Sequence, residues 1–157
     1  MNEDPEVMEF FLKILSPEES KTLYNKITVF FEKNNYGLFA IESKLTQQFA
    51  GFIGFSQPTF TSYFTPCIEI GWRLGRQFWN QGFATEGATV CLKYEFFTLG
   101  FKDIYSWTSK INTKSIRITE KIVLTTKLNS SSRMYRQIIS YDLTSFIEYL
   151  ITNRGMI

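Results

Sequence analysis

Glu69-Ile-Gly-Trp-Arg-Leu-Gly-Arg-Gln-Phe-Trp-Asn-Gln-Gly-Phe-Ala-Thr-Glu86 is the stretch on which the reading of this chain turns. With Cys67 and Ile68 ahead of it, its start alternates strictly. Ile68, Ile70, Trp72 and Leu74 fall on one face of a strand, and Glu69, Gly71 and Arg73 fall on the other. A polar loop follows, and from about Gly82 the period changes. Ala84, Ala88, Cys91/Leu92, Glu95/Phe96 and Leu99 recur at helical spacing as far as Gly100, a C-cap glycine. The segment therefore reads strand, loop, helix. First-turn N–H groups of such a helix have no internal partner, and its dipole adds positive potential. A glycine at that point lets an anion approach the backbone, and Arg73 and Arg76 add charge nearby. From its residues alone, the segment is either a diphosphate cradle or an ordinary turn whose glycine is steric. Two other phosphate loops are excluded, because the Gly-Lys-Ser/Thr ending and the Gly-x-Gly-x-x-Gly spacing are both missing.

Working outward, Asp103 to Thr108 reads as a strand and Asn112 to Ile122 as a helix. Upstream, Leu38 to Glu42 and Phe49 to Phe55 read as strands joined by Ser43 to Gln48. Gly51 and Gly54 point to a bulge or a close backbone approach. Residues 5–15 and 17–34 read as two helices. The second opens with the N-cap signal Ser16-Pro17-Glu18-Glu19, carries Leu23, Ile27 and Phe30/Phe31 as its apolar stripe, and ends at the turn Asn34-Asn35-Tyr36-Gly37. The fold class is α/β: a mixed sheet with a three-strand antiparallel meander, then a βαβ crossover, with flanking helices. No linker or repeat divides residues 1–157, so a single domain is expected.

Composition narrows the function. The chain has 157 residues, 44% of them hydrophobic, with 16 Phe, 8 Tyr and 3 Trp, enough to bury a core. A net charge of +2 without a dominant Lys/Arg cluster argues against a nucleic-acid surface. Histidine is absent, which removes histidine triads, histidine bases and most zinc sites, so no metal is expected. Cys67 and Cys91 read as buried small hydrophobes in a reducing compartment. The acidic start Met1-Asn2-Glu3-Asp4 lacks a signal-peptide pattern, and no apolar run is long enough to span a bilayer. A soluble, cytoplasmic protein without a membrane partner is expected.

The run Glu69 to Leu74, then Trp79-Asn-Gln-Gly-Phe-Ala-Thr-Glu86, then Tyr94-Glu-Phe-Phe-Thr-Leu-Gly100 closely resembles the GNAT superfamily of N-acetyltransferases. Within it, the run looks like the group related to ribosomal-protein N-terminal acetyltransferases. Against that group's Trp-Gly-x-Gly-Tyr-Ala-Thr-Glu, Trp79 takes the first position and Gly82 the second glycine, while Asn80 stands where the first glycine is usual. Asn112-Thr-Lys-Ser115 and Glu120-Lys121 resemble its Asn-x-x-Ser and Glu-Lys-Leu-Gly elements. The similarity spans roughly residues 4–124, and 125–157 form an atypical tail.

The resemblance implies acetyl-CoA as co-substrate, held in a V-shaped gap between splayed parallel strands, here Ile68 to Leu74 and Asp103 to Thr108. Backbone groups of Ile70, Trp72, Arg73 and Leu74 are expected to pair with the pantetheine arm. Asn80, Gln81, Gly82, Phe83, Ala84 and Thr85 are expected to hold the pyrophosphate. Asn112 and Ser115 would contact the cofactor's far side near the thioester, and Asn112 suits an N-cap equally well. The implied reaction is direct attack by a primary amine, either a small molecule or a protein N-terminus. Glu69 and Asn112 are the catalytic candidates. Glu69 is the general base, and its competing reading is a solvated carboxylate or a partner for Arg73. Glu86 is better explained by the helix dipole, and Lys121 by its place at a helix end. Where many members carry an acid tyrosine, this chain has Thr119.

Two departures lead to a second reading, a catalytically defective or truncated relative that at most binds CoA. The family's first strand would precede Asp4-Pro5-Glu6-Val7-Met8, and this chain starts almost there. From Val123 onward the expected glycine, histidine segment and final strands are replaced, as an altered reading frame would do. An open apolar sheet edge is then expected, with low stability or homo-oligomerisation as the consequence. A third, bland reading makes the aromatic-rich core a protein-interaction surface only.

Overall fold

Ser16 starts the first helix as its composition requires. Its side-chain oxygen accepts the Glu19 N–H at 3.2 Å while Glu19 Oε2 accepts the Ser16 N–H at 2.9 Å. With Pro17 at the first helical position, this reciprocal box opens α1 (Pro17–Asn34) in the computed structural model, which describes residues 1–62, 64–101, 103–129 and 138–142. Asn35 closes α1 in the left-handed conformation (φ 59°), donating its N–H to the Phe31 carbonyl. No α1 residue is fully buried. Its stripe meets β1 through an edge contact of Phe31 on Phe39 at 5.2 Å, and the turn before β1 through Phe30 on Tyr36 at 5.5 Å.

The helix expected over 5–15 does not form. One turn closes from the Met8 N–H to the Asp4 carbonyl (3.0 Å), the next bond shortens to Phe11 on Met8, and the chain folds back so that the Leu15 N–H reaches Asn2 (3.0 Å). Eleven residues are too few to hold a helix alone, and tertiary anchors decide instead. Val7 and Met8 are buried, and Phe11 lies on the Arg73 guanidinium at 4.0 Å.

Strands β1 (Leu38–Glu42), β2 (Phe49–Ser56) and β3 (Ile68–Leu74) form the expected antiparallel meander. Helix α2 (Phe83–Tyr94) crosses to β4 (Ile104–Thr108), parallel to β3, and helix α3 (Thr113–Asn129) leads to β5 (Ile138–Asp142), parallel to β4. Sheet order is β1-β2-β3-β4-β5. The β1–β2 register slips between Ile41 and Glu42, leaving Ala50 as the extra residue of a bulge. Beside it, Gly51 has φ 144°, and a Cβ there would lie 2.1 Å from the Arg73 carbonyl oxygen; Gly54 meets the Gly37 carbonyl in the same way.

Ile53, Phe55, Ile70, Leu74 and Ile104 of the sheet pack on Ala84, Ala88, Cys91 and Leu92 of α2 and Ile122 of α3. Cys91 is buried as expected, whereas Cys67 is only partly covered. The expected helix over 82–99 is α2 plus a five-residue π turn, Glu95–Leu99, stopped by left-handed Gly100. Two further expectations are corrected. Helix α3 runs to Asn129 rather than Ile122, and the outer edge of β4 is not open, because residues 138–142 pair with it along its whole length. The segment Ile138-Ile-Ser-Tyr-Asp142 is too short to declare itself by periodicity, and a neighbour with free backbone groups recruits it. The rest of the tail, 130–137 and 143–157, lies outside the described residues.

Candidate active site

Parallel β3 and β4 pair at only two registers, Ile68 with Ile104 and Glu69 with Tyr105. Beyond them β3 stays with β2 as far as Leu74, while β4 follows β5. The strands therefore part, and the β4-facing edge of β3 is left without a β4 partner from Ile70 onward. A cavity of about 850 Å³ fills the divergence and continues onto the face of the sheet away from α2.

One end of the cavity is shaped by the loop that leaves β3. Trp79 donates its indole N–H to the Leu74 carbonyl at 2.9 Å, which ties the loop back to the strand. Asn80 takes φ 59°, a left-handed conformation that asparagine tolerates better than most residues, so the turn closes without the family's usual glycine. Gly82, the N-cap of α2, has φ 89°; no side chain caps this helix, and a Cβ there would meet nothing within 4 Å. The first-turn N–H groups of Phe83, Ala84 and Thr85 thus open on space, with the positive end of the dipole behind them. Lys114 of α3 sits with Nζ 3.9 Å from the Trp79 ring centroid and lines the same cavity. These residues fit an anionic diphosphate.

Among the residues singled out from sequence, Ile70, Trp72, Arg73 and Leu74 line the cavity from β3. Asn80, Gly82, Phe83, Ala84 and Thr85 line it from the loop and α2, and Asn112 and Ser115 from α3. Gln81 does not; its exposed side chain bonds the Gln77 carbonyl. The Leu74 carbonyl is already engaged by Trp79. Asn112 is seen as a cap, its Oδ1 accepting the Ser115 N–H at 3.1 Å. Thr119 is buried and its hydroxyl donates to the Ser115 carbonyl at 3.1 Å.

The two arginines do not serve as expected. Arg76 pairs with Glu6 and, at 3.6 Å, with Asp4, so acids of the N-terminal segment offset its charge. Arg73 is stacked between Phe11 (4.0 Å) and Phe52 (5.3 Å) and donates to Asn2 Oδ1 at 3.0 Å, while its buried Nε has no partner among the described residues. Burial draws its pKa down to about 10.

Glu69 stands where the strands part. Its Oε2 accepts the Ser56 hydroxyl at 3.0 Å across the β2–β3 pair, and burial pushes its pKa up to about 7 despite that bond. It forms no ion pair with Arg73, which lies four residues further along the same face, beyond Gly71. Burial, and then the Glu69 charge, push the Cys67 thiol up.

Sequence reasoning missed two features of the cavity. Lys114 lay within the motif Asn112 to Ser115 as an unassigned residue, and its place two residues after the cap, in the first turn of the helix, was the available signal. Aromatic rings Phe60 and Trp107, 5.6 Å apart, line the Glu69 face from the β2–β3 loop and from β4; no periodicity joins residues so far apart in sequence.

A model of the acetyltransferase (GNAT) domain family matches residues 1–124. YkkB, an uncharacterised protein of Bacillus subtilis, is 28% identical over 123 residues, covering 76% of this chain and 68% of YkkB. The structure of an acetyltransferase from Agrobacterium tumefaciens superposes with a TM-score of 0.66 at 23% identity, covering 77% of this chain and 68% of that one. A GNAT-family acetyltransferase from Bacillus anthracis superposes at 0.62 with 26% identity and the same coverage. The ribosomal-protein-S5-alanine acetyltransferase of Vibrio fischeri superposes at 0.59 with 16% identity, covering 74% of this chain and 65% of that one. No helix among the described residues is long and apolar enough to cross a membrane. Splayed parallel strands, an open helix terminus where they part, and a family match over four-fifths of the sequence converge: the chain belongs to the acetyltransferase (GNAT) domain family, whose enzymes move acetyl groups from acetyl-CoA to amines.

Proposed function

We propose that this chain is an N-acetyltransferase that passes the acetyl group of acetyl-CoA to a primary amine by direct attack, with Glu69 as general base. The observation that carries this reading is a carboxyl held at the point of strand divergence with its pKa at about 7. An amine with a pKa of about 10 reaches the site as an ammonium and must lose a proton before it attacks. A carboxylate near neutrality is a far better acceptor for that proton than an ordinary one. Ser56 orients it. Backbone groups of Ile70 to Arg73, free of β4, pair with the pantetheine arm as an added strand would. The α2 terminus at Gly82 receives the pyrophosphate, with Lys114 beside it.

The alternative, a relative that binds CoA without turning it over, is favoured by Thr119, whose buried hydroxyl is engaged with the Ser115 carbonyl and offers no proton to a leaving thiolate. Calorimetry with acetyl-CoA and a thiol-release assay with ethylamine separate the two. Binding with thiol release supports catalysis; binding without release supports the alternative. A Gly82→Asp variant tests the phosphate cradle, since it adds a negative charge and forces a side chain onto φ 89°. Its affinity should fall at least about tenfold, equivalent to about 1.4 kcal/mol. Equal binding by both proteins sinks the cradle.

A further inference from the structure

We infer that the acceptor is an arylalkyl amine, a single ammonium on an aromatic-sized apolar body, taken up between Glu69 and the rings of Phe60 and Trp107; this rests on the reading of Glu69 as the base. Glu69 pairs with Tyr105 in the parallel register, so Trp107, two residues on, rises from the same face of the sheet. Phe60 stands edge-on to Trp107 at 5.6 Å, and Phe64 backs both, 6.0 Å from Phe60 and 6.1 Å from Trp107. Both rings line the cavity, and Trp107 is only partly buried, so part of its ring surface remains open to a guest. A carboxylate beside aromatic faces binds an ammonium by charge and its flat body by ring contact.

Other amines fit this compartment poorly. A polyamine needs several carboxylates, but Glu6 and Asp4 are engaged by Arg76 and Glu9 is exposed, which leaves Glu69 as the enclosed acid. A peptide N-terminus would press its amides against ring faces that offer no hydrogen bonds. An anionic acceptor would look to Arg73, which is already sandwiched by Phe11 and Phe52 and bonded to Asn2.

In the reaction the ammonium gives one proton to Glu69, the nitrogen lone pair forms the new N–C bond to the acetyl carbonyl carbon, and the C–S bond breaks. The second amine proton passes to the departing thiolate, directly or through water, leaving the amide and CoA thiol, and Glu69 returns its own proton to solvent. No oxidant or further reactant is needed.

The test uses the full chain. Binding of 2-phenylethylamine without acetyl-CoA is followed by calorimetry, alongside spermidine and an alanine-initiated peptide, and kcat/KM is measured for each with acetyl-CoA. We expect phenylethylamine to bind, and to be favoured at least about tenfold over both competitors. Trp107→Ala should raise its KM about tenfold, a factor in line with losing one ring contact, and raise that of ethylamine, which has no ring to stack, by much less. Phe60→Leu, which keeps an apolar side chain and removes the ring, should give a smaller loss in the same direction. Spermidine or peptide equal to or better than phenylethylamine, or an unchanged KM in both variants, overturns the inference while ethylamine turnover leaves the acetyltransferase reading standing. Absence of thiol release with any amine refutes that reading, and phenylethylamine binding then still decides the pocket, its absence overturning the inference.

Discussion

Replacing Glu69 with glutamine separates two consequences of the same burial. Glutamine keeps the shape and can still accept the Ser56 hydroxyl, but it never carries the charge that the enclosure penalises. The folded chain holds the Glu69 proton with a pKa of about 7 against an ordinary 4.5. Each tenfold change in proton affinity corresponds to about 1.4 kcal/mol, so the move amounts to about 3 kcal/mol at most, and to roughly 1–3 once the residue's partial exposure is allowed for. The sign follows from linkage. Because the folded state binds the proton more tightly than the unfolded one, the stability from protonated Glu69 is complete below 4.5 and is lost as pH rises through about 7. Glu69→Gln should therefore match the parent at pH 4 and exceed it by roughly 1–3 kcal/mol at pH 8 in urea melts. Parent kcat/KM should rise through pH 7 as the base ionises, whereas the variant should lose about a hundredfold or more and keep its affinity for acetyl-CoA. A stability gap that does not change between pH 4 and pH 8 refutes the enclosure. A parent profile flat across pH 7 refutes the base.

Two further substitutions probe the frame of the site. Gly51→Ala would set a Cβ 2.1 Å from the Arg73 carbonyl oxygen at φ 144°, so it should cost more than about 3 kcal/mol and yield mostly insoluble protein; a soluble variant with a parent-like Tm overturns the close-approach account. Asn112→Ala removes the α3 cap and should lower stability by about 1 kcal/mol in denaturant melts, while Asn112→Ser restores most of it. If acetyl-CoA affinity falls alike in both Asn112 variants, the side chain also touches the ligand.

Local chemistry made much of this chain legible before any coordinates. Ser16, Pro17 and Glu19 specify a helix start wherever they occur, and the alternation from Ile68 to Leu74 sorts Ile70 and Leu74 inward because a one-residue slip would bury Glu69 and Arg73 in the core instead. Gly82 and Gly100 bracket a helical period, so the strand–loop–helix unit and its open terminus follow from neighbours in sequence. Beyond these, the run Trp79 to Glu86 pointed to the family.

Tertiary structure decided what depends on residues brought together from afar. Residues 5–15 had enough helical pattern to be read as a helix, but Arg73 and Arg76 hold the N-terminal segment in irregular turns through Asn2, Phe11, Asp4 and Glu6, and so both cations are engaged away from the α2 terminus. Residues 138–142 became a strand only because β4 offered an unpaired edge. The divergence of β3 from β4 after Glu69, and the rings of Phe60 and Trp107 in the same cavity as that carboxyl, belong to no local pattern. Periodicity records which way a side chain faces relative to its own element. Where a charge is enclosed, what it bonds and what lies across the gap are set by chain segments tens of residues away, and those make the surroundings of Glu69.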